Sequence, residues 1–271
     1  MDRTQLRDIK GAFAIPVCAD ATVNRQVKEA LRLVCAEQPV APPSAAQKMI
    51  VIGFLGGFAK KNDSNHPEVW FGNYLREHYP SASKVEVLPN HDGRVAVREI
   101  ERLLDTNHDG SLTDEEKKQA RIIIYGHSWG ASQTVALARE LGRAGIPVLL
   151  TVQIDIIAKP HQKPTVIPPN VESAINFFQP NGFLHGRSEV IAESPAQTKI
   201  LGNVRMTYDN QPIDCGNYPW IPRTFNKPHH EIENDAQVWK RVGSLIDSVA
   251  SSTAVSIDQL AAKTGSANPG Q

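Results

Sequence analysis

The segment 125–131 carries the residues that are best placed for covalent chemistry. It reads Tyr-Gly-His-Ser-Trp-Gly-Ala, so that Ser128 stands between Gly126 and Gly130 in the pattern Gly-x-Ser-x-Gly. Three isoleucines precede the segment, and a stretch rich in small residues follows it. A serine at such a strand-to-helix turn projects its hydroxyl above the sheet, next to the positive end of the following helix. Negative charge that develops there would be stabilised, which makes Ser128 a candidate nucleophile.

This segment resembles the nucleophile elbow of the α/β-hydrolase superfamily, in its esterase and lipase branch. The resemblance covers about residues 47–248 and implies an α/β fold, with a mostly parallel sheet and helices on both faces. It also implies a serine nucleophile, a carboxylate and a histidine base, in that chain order. Ser128 matches the nucleophile, and Trp129 would supply one backbone N–H of an oxyanion hole.

Two carboxylates compete for the acid position. Asp155 ends an apolar run over 152–157, where an ionisable group is costly unless it is paired. Its position is similar to that of the acid in pancreatic-type lipases. Asp209 lies in a turn-like segment after the next predicted strand, which is the commoner position in the superfamily, although an Asp in a turn often binds only its own backbone. Asp155 is favoured, and Asp209 remains the alternative.

The candidate bases are two adjacent histidines that lie just before the last predicted helix. His229 matches the superfamily pattern of a histidine, two further residues, an isoleucine and an acidic residue, and His230 is the alternative. His127 is expected to point away from Ser128 and to serve in packing. A second oxyanion donor is expected from the glycine-rich loop after the first strand, as the backbone N–H of Gly57 or Phe58.

A separate motif over 105–116 fits the calcium-binding loop of the EF-hand. Gly110 permits the sharp turn that the loop needs, and the segment offers oxygen ligands at six positions, namely Asp105, Asn107, Asp109, Ser111, Thr113 and Glu116. A metal-free turn rich in Asp and Asn is the alternative. Because the loop enters the strand of Ser128 at its far end, Ca²⁺ would lie roughly 20 Å or more from the nucleophile. Its predicted role is therefore structural or regulatory, and no organic cofactor is expected.

The periodicity of apolar residues predicts the elements that would position these side chains. Strands are predicted over 49–55, 84–88, 122–125, 146–157 and 198–207. Helices are predicted over 67–79, 95–104 and 171–178, after Ser128, and through Val238 and Val249. Alternating strands and helices predict a parallel sheet with helices on both faces, and such sheets bind ligands at the carboxyl ends of their strands.

The predicted hydrolase domain covers 47–250. An amino-terminal helical segment, with its helix at 27–34, and a Pro-rich linker are expected over 1–46, and a carboxyl-terminal tail over 251–271.

The apolar stretch 11–18 is short and interrupted by Pro16, which favours a cytoplasmic over a secreted protein. A lone calcium loop would instead suit an exterior rich in that ion.

The composition excludes several other functional classes. The 271 residues include 29 basic and 29 acidic ones, and this zero net charge argues against nucleic acid as the main partner. The apolar run 49–55 is too short to cross a membrane, so no transmembrane segment is expected. Three cysteines cannot form a disulfide framework.

The predicted function is hydrolysis of a small-molecule or lipid carboxylic ester through an acyl-enzyme. A thioesterase or acyltransferase with the same three residues is one alternative. A calcium-responsive binding protein that keeps the hydrolase scaffold without catalysis is another.

Overall fold

The computed structural model describes residues 49–79, 83–160, 162–216 and 226–264. The predicted amino-terminal helix and Pro-rich linker, and residues 265–271 of the predicted tail, lie outside these ranges. The strands are β1 (Met49–Leu55), β2 (Ser83–Pro89), β3 (Arg121–His127), β4 (Val148–Ile154), β5 (Val166–Ile167), β6 (Val171–Phe178), β7 (Ile191–Ala192) and β8 (Lys199–Arg205). The helices are α1 (Pro67–His78), α2 (Gly93–Leu104), α3 (Asp114–Lys118), α4 (Trp129–Arg143), α5 (Lys227–Asn234) and α6 (Ala236–Thr264).

A parallel sheet of six strands, in the order β2-β1-β3-β4-β6-β8, forms the centre of the fold. Every neighbouring pair in it is parallel. All residues of β1 and β3 are buried, which is why both segments read as continuous apolar runs rather than alternating ones. The carboxyl ends of β3 and β4 are adjacent, since His127 pairs with Ile154.

Helices cover both faces of this sheet and create two hydrophobic cores. On one face, side chains of α1 and α6 pack against the sheet, with Trp239 touching Phe71 and Tyr125. On the other face, apolar residues of α2 and α4 pack against the same strands. The predicted sheet of parallel strands with helices on both faces is confirmed.

The prediction of a helix over 171–178 is wrong, because this segment is strand β6 and pairs with β4 and β8. Its apolar residues Val171, Ala174, Ile175 and Phe178 have helical spacing, which produced the error. The residues Asn176 and Phe177 are buried as well, and a strand that is covered on both faces permits this. A short apolar run does not distinguish the two structures by its periodicity.

The last helix continues beyond the predicted end of the domain. The sequence placed that boundary at residue 250, whereas α6 runs to Thr264. Among the described residues, the structure contains no helix with the length and apolar character that crossing a membrane requires.

Replacing Phe71 with alanine should destabilise the protein strongly. Phe71 is fully buried between Tyr125 and Trp239, so Phe71→Ala leaves a cavity and should lower the free energy of unfolding by about 3–5 kcal/mol. Phe183, which is 93% exposed, provides the matched control, and its alanine variant should change stability by less than about 0.5 kcal/mol. Urea unfolding monitored by circular dichroism measures both values. Equal losses in the two variants would contradict this core.

Candidate active site

The strand-to-helix turn at Ser128 is made possible by two glycines. A Cβ atom at Gly130 would overlap the carbonyl oxygen of Phe54, and one at Gly126 would lie 2.6 Å from the carbonyl carbon of Gly130. Strand β3 therefore ends and α4 begins with only Ser128 between them. The chain changes direction at Ser128, which has φ 58° and ψ −122°. This conformation is costly for a residue with a side chain. It leaves Ser128 at the N-terminus of α4, beside β1.

Three side chains predicted for catalysis come together at this turn. The Nε2 atom of His229 lies 2.9 Å from the Oγ of Ser128, and its Nδ1 atom lies 2.6 Å from the Oδ2 of Asp155. Since an ionised carboxylate only accepts hydrogen bonds, Nδ1 donates to Asp155 and Nε2 is left to accept from the serine hydroxyl. All three residues are buried. The arrangement can move a proton from Ser128 to His229 while Asp155 holds the ring in place.

Asp155 follows β4 directly and has a positive φ of 49°. Besides His229, its carboxylate accepts hydrogen bonds from the backbone N–H groups of Gln179 (3.1 Å) and Gly186 (2.8 Å) and from the side-chain amide of Gln179 (2.9 Å). A Cβ at Gly186 would overlap the Oδ1 of Asp155. These donors offset the cost of removing a charged group from water.

Gln179 and Gly186 were not among the predicted site residues. Gln179 follows β6 directly, at the carboxyl edge of the sheet, where polar residues are expected to meet. Because 171–178 was predicted as a helix, this position was not recognised as the end of a strand.

Asp209, the alternative acid, and His230, the alternative base, have other neighbours. Asp209 is exposed and accepts a hydrogen bond from the side chain of Asn181 at 3.1 Å. His230 is half-buried, with its Nδ1 atom 3.6 Å from a carboxylate oxygen of Glu233. Helix α5 carries His229 and His230, although the sequence placed both on a loop before the last helix.

The predicted oxyanion-hole residues belong to two segments, the start of α4 and the loop after β1. Trp129 is the first residue of α4, and its ring meets the exposed ring of Phe58 edge to face at 5.2 Å. The carbonyl oxygen of Gly57 accepts a hydrogen bond of 2.6 Å from Asn90. Because a trans peptide places its C=O and N–H on opposite sides, the N–H of Phe58 points away from Asn90.

The loop that carries Gly57 and Phe58 comes close to Ser128. A Cβ at Gly56 would lie 3.1 Å from the Cβ of Ser128, so only a glycine fits this approach without displacing a neighbour. The loop and the first turn of α4 thus border the same hydroxyl.

A second buried cluster of ionisable groups adjoins the ring of His229. The ring of His127 lies 4.4 Å from it, centroid to centroid. Burial lowers the pKa of His127 to about 3, so its imidazole is neutral. The cluster consists of His127, Glu233, Glu68 and His66. From the sequence, His127 was expected only to serve in packing, and the cluster was not predicted.

The two carboxyl groups of this cluster differ in their ionisation. Burial and the nearby charge of Glu233 raise the pKa of Glu68 well above its usual range. Burial also opposes ionisation of Glu233, but the surrounding imidazoles outweigh it and hold the pKa of that carboxyl well below its usual range. Burial lowers the pKa of His66, but the hydrogen bond to Glu233 and nearby carboxylates outweigh this effect and raise it to about 9.

The predicted calcium loop connects α2 and α3, with positive φ values of 59° at His108 and 83° at Gly110. Its backbone N–H groups point inward, with those of Asp109 and Gly110 donating to the Asp105 carboxylate. The backbone N–H groups of Thr106 and Thr113 donate to the carboxylate of Glu116. Those of Asp109 and Ser111 donate to the side-chain oxygens of Asn107 and Asp109, respectively.

The loop carboxylates do not cluster tightly in this conformation. Among the described residues, two groups of three His, Cys, Asp or Glu side chains have ligand atoms within 4.8 Å of one another. These are His127, Asp155 and His229, and His66, Glu68 and Glu233; neither lies in the loop. The calcium site therefore stays a prediction.

Comparison with known proteins gives limited similarity. No protein-family model matches the chain, and no curated protein matches its sequence. A cutinase-like protein from Cryptococcus sp. aligns over 78% of this chain and 98% of its own, with 14% identity and a TM-score of 0.41. An arylesterase aligns over 92% and 99%, with 11% identity and a TM-score of 0.39. An esterase from the archaeon Pyrobaculum calidifontis aligns over 92% and 98%, with 12% identity and a TM-score of 0.38. These values are too low to carry an inference about this chain.

The strained turn at Ser128 should make glycine more stabilising than alanine at this position. Both Ser128→Gly and Ser128→Ala remove the hydroxyl, but only glycine adopts the observed φ and ψ without strain. We expect the glycine variant to be more stable by about 1 kcal/mol, as measured by thermal unfolding.

Ser132, inside helix α4, provides the opposite control. There the glycine variant should be less stable than the alanine variant by about 1 kcal/mol. The same order of stability at both positions would refute a strained turn at Ser128.

Proposed function

We propose that this chain is a serine hydrolase that cleaves a carboxylic ester through an acyl-enzyme. The observation that carries the proposal is the continuous hydrogen-bonded chain from the Ser128 hydroxyl through His229 to Asp155. Its members come from the ends of β3 and β4 and from α5, and this is the geometry that nucleophilic catalysis by serine requires.

The proposed reaction proceeds in two halves. The Oγ of Ser128 attacks the ester carbonyl carbon while Nε2 of His229 takes up the hydroxyl proton, and Asp155 stabilises the resulting imidazolium. The tetrahedral intermediate collapses, the C–O bond to the alcohol breaks, and His229 returns the proton to the departing alcohol. Water, activated by His229, then attacks the acyl-Ser128 carbonyl and releases the acid and the free serine.

The negative oxygen of each tetrahedral intermediate needs hydrogen-bond donors. The backbone N–H of Trp129, at the N-terminus of α4, and that of Gly57 or Phe58 are the proposed donors. The close packing of the 56–58 loop against Ser128 supports this assignment. Such donors stabilise the charge most effectively because folding has already fixed their orientation.

The exposed aromatic rings near the site favour a substrate with an apolar part. Phe58 is 90% exposed and touches the ring of Trp129. Phe183 is 93% exposed and lies between Gln179 and Gly186, the two residues that hold Asp155. Exposed aromatic side chains of this size are typical of binding surfaces. We therefore propose a small-molecule or lipid ester as substrate; a thioester is the alternative that the same three residues would cleave.

Removal of the nucleophile or of its acid should abolish ester hydrolysis. We expect Ser128→Ala to eliminate turnover of p-nitrophenyl esters and labelling by a fluorophosphonate. Asp155→Asn should lower kcat by about 10³- to 10⁴-fold, because His229 loses the acceptor that fixes its tautomer. Asp209→Asn, at the exposed alternative position, should retain wild-type rates.

Each proposal fails under a specific result of these assays. Wild-type rates in Ser128→Ala would refute the nucleophile, and a larger loss in Asp209→Asn than in Asp155→Asn would reverse the choice of acid. A parallel assay with acyl thioesters shows which substrate class has the higher kcat/KM.

We also propose that the 105–116 loop binds Ca²⁺ in a structural or regulatory role. Its support is the set of six oxygen donors at the spacing of an EF-hand loop, together with the positive φ of 83° at Gly110. The donors Asp105, Asn107, Asp109, Ser111, Thr113 and Glu116 offer only oxygen, which suits a hard cation. The loop precedes β3, so the ion would act through the strand and not on the ester.

Calcium should raise the melting temperature of metal-depleted protein. A ligand that binds only the folded state at 100 times its Kd stabilises it by about 2.7 kcal/mol. Differential scanning calorimetry with and without millimolar Ca²⁺ measures the shift, and Mg²⁺ at the same concentration is the ionic control. Glu116→Gln, which removes the proposed bidentate ligand, should abolish the shift. Identical melting curves for the wild-type protein with and without Ca²⁺ would rule out the site.

A further inference from the structure

Four ionisable side chains, three buried and one (His66) partly exposed, meet next to the ring of His229 and take no part in the proposed reaction. They are His66 and Glu68 at the start of α1, His127 at the end of β3 and Glu233 in α5. Glu68 and Glu233 are 0% and 1% exposed, and His127 is 2% exposed. Three segments far apart in the chain therefore bring two carboxylates and two imidazoles into one water-excluded place.

Three residues of this cluster have ligand atoms close enough to share one ion, and His127 faces the carboxylates of two of them. Those of His66, Glu68 and Glu233 all lie within 4.8 Å of one another. The Nδ1 of His127 lies 4.0 Å from a carboxylate oxygen of Glu68 and 3.4 Å from one of Glu233. The Nδ1 of His66 faces the other oxygen of each carboxylate, at 4.0 Å from Glu68 and at 2.7 Å, a hydrogen bond, from Glu233. Four ligands that surround Zn²⁺ tetrahedrally at about 2.1 Å would be about 3.4 Å apart, in the middle of these separations.

The tautomer of His127 directs a lone pair into the cluster. Its Nε2 atom lies 3.2 Å from the carbonyl oxygen of His229, and since a carbonyl oxygen only accepts, Nε2 carries the proton. In the neutral ring, Nδ1 is then an acceptor that faces two carboxylates. Among the described residues it has no hydrogen-bond partner. A histidine that donates one ring N–H to a carbonyl and presents its other nitrogen is the usual state of a metal ligand.

Like the Nδ1 of His127, the carboxylate of Glu68 has no hydrogen-bond partner among the described residues. Both of its carboxylate oxygens are buried and lack a hydrogen-bond donor within the described part of the chain. A buried carboxylate without donors or a cation is costly, and a second one at Glu233 adds repulsion. Glu233 accepts a hydrogen bond from His66 at 2.7 Å, whereas Glu68 has no donor, and a divalent cation between the two carboxylates would serve both.

We infer that His66, Glu68, His127 and Glu233 form a binding site for Zn²⁺. Two imidazole nitrogens and two carboxylate oxygens are a set that zinc accepts in tetrahedral geometry, whereas Ca²⁺ and Mg²⁺ prefer oxygen ligands alone. The site is distinct from the 105–116 loop and does not depend on the proposed ester hydrolysis.

The ion would tie together parts of the molecule that position the candidate base. It would link the start of α1 and the end of β3 to α5, the helix that carries His229. An ion held by segments that are far apart in sequence stabilises the folded state, because the unfolded chain does not form the site. His127 contacts the ring and the backbone of His229. Through His127, the ion would therefore also keep the candidate base within hydrogen-bond distance of Ser128.

Metal analysis of the untagged full-length protein tests the inference directly. After metal depletion and dialysis against Zn²⁺, we expect one tightly held zinc per chain by inductively coupled plasma mass spectrometry. Substitution by Co²⁺ should give the intense visible absorption of a tetrahedral site with nitrogen ligands. No retained zinc, or only the weak spectrum of octahedral cobalt, would overturn the proposal.

Matched glutamine variants assign the site to these residues. Glu68→Gln keeps the side-chain size and should weaken Zn²⁺ binding at least tenfold in a chelator competition. Glu86→Gln, on strand β2 outside the cluster, and Glu116→Gln, in the calcium loop, should bind zinc as the wild type does.

Two results would contradict this assignment. One is unchanged zinc affinity in Glu68→Gln. The other is a higher melting temperature of Glu68→Gln together with no zinc binding by the wild type, which would mean that Glu68 and Glu233 share a proton instead. If Glu68→Gln does not fold, the cobalt spectrum of the wild-type protein decides.

Discussion

The close approach of helix α4 to strand β1 is the constraint on which the candidate site depends. Gly126 and Gly130 leave no side-chain atoms between the two elements, so the chain can turn from strand to helix at a single residue. That residue, Ser128, is forced into a strained conformation and its hydroxyl is presented beside the 56–58 loop. Any larger residue at either glycine would push the helix away, and Ser128, the candidate oxyanion donors and His229 would no longer share one location.

The molecule buries carboxylates in two different ways at neighbouring positions. Asp155 is surrounded by N–H donors from Gln179, Gly186 and His229, so its charge is balanced within the fold. Glu68 and Glu233 lie equally deep but face imidazole nitrogens and each other. The first arrangement suits a group that must remain ionised while it orients a base. In the second, both oxygens of Glu68 lack a hydrogen-bond donor among the described residues, and this contrast is the physical basis for inferring a cation there.

The sequence predicted the fold well where apolar runs were long or strictly bounded. The runs at 49–55 and 122–125 are strands buried on both faces, and this pattern together with the intervening helices was sufficient for the α/β architecture. It failed at 171–178, where four apolar residues at helical spacing form a strand. That single error concealed the end of β6 and with it Gln179. Gly186 was missed as well, because its role depends on the path of a loop that has no periodic pattern.

By itself, the sequence determined the chemistry that is available: a serine between two glycines, the adjacent histidines 229 and 230, the candidate acids Asp155 and Asp209, and an oxygen-rich loop. Only the tertiary structure decided that Asp155 and His229 meet at Ser128 while Asp209 faces solvent. It also decided that His66, Glu68, His127 and Glu233 converge. Local patterns specify which residues lie on a strand or helix. The distance between residues a hundred positions apart depends on strand order and helix packing, which are established only when the whole hydrophobic core forms.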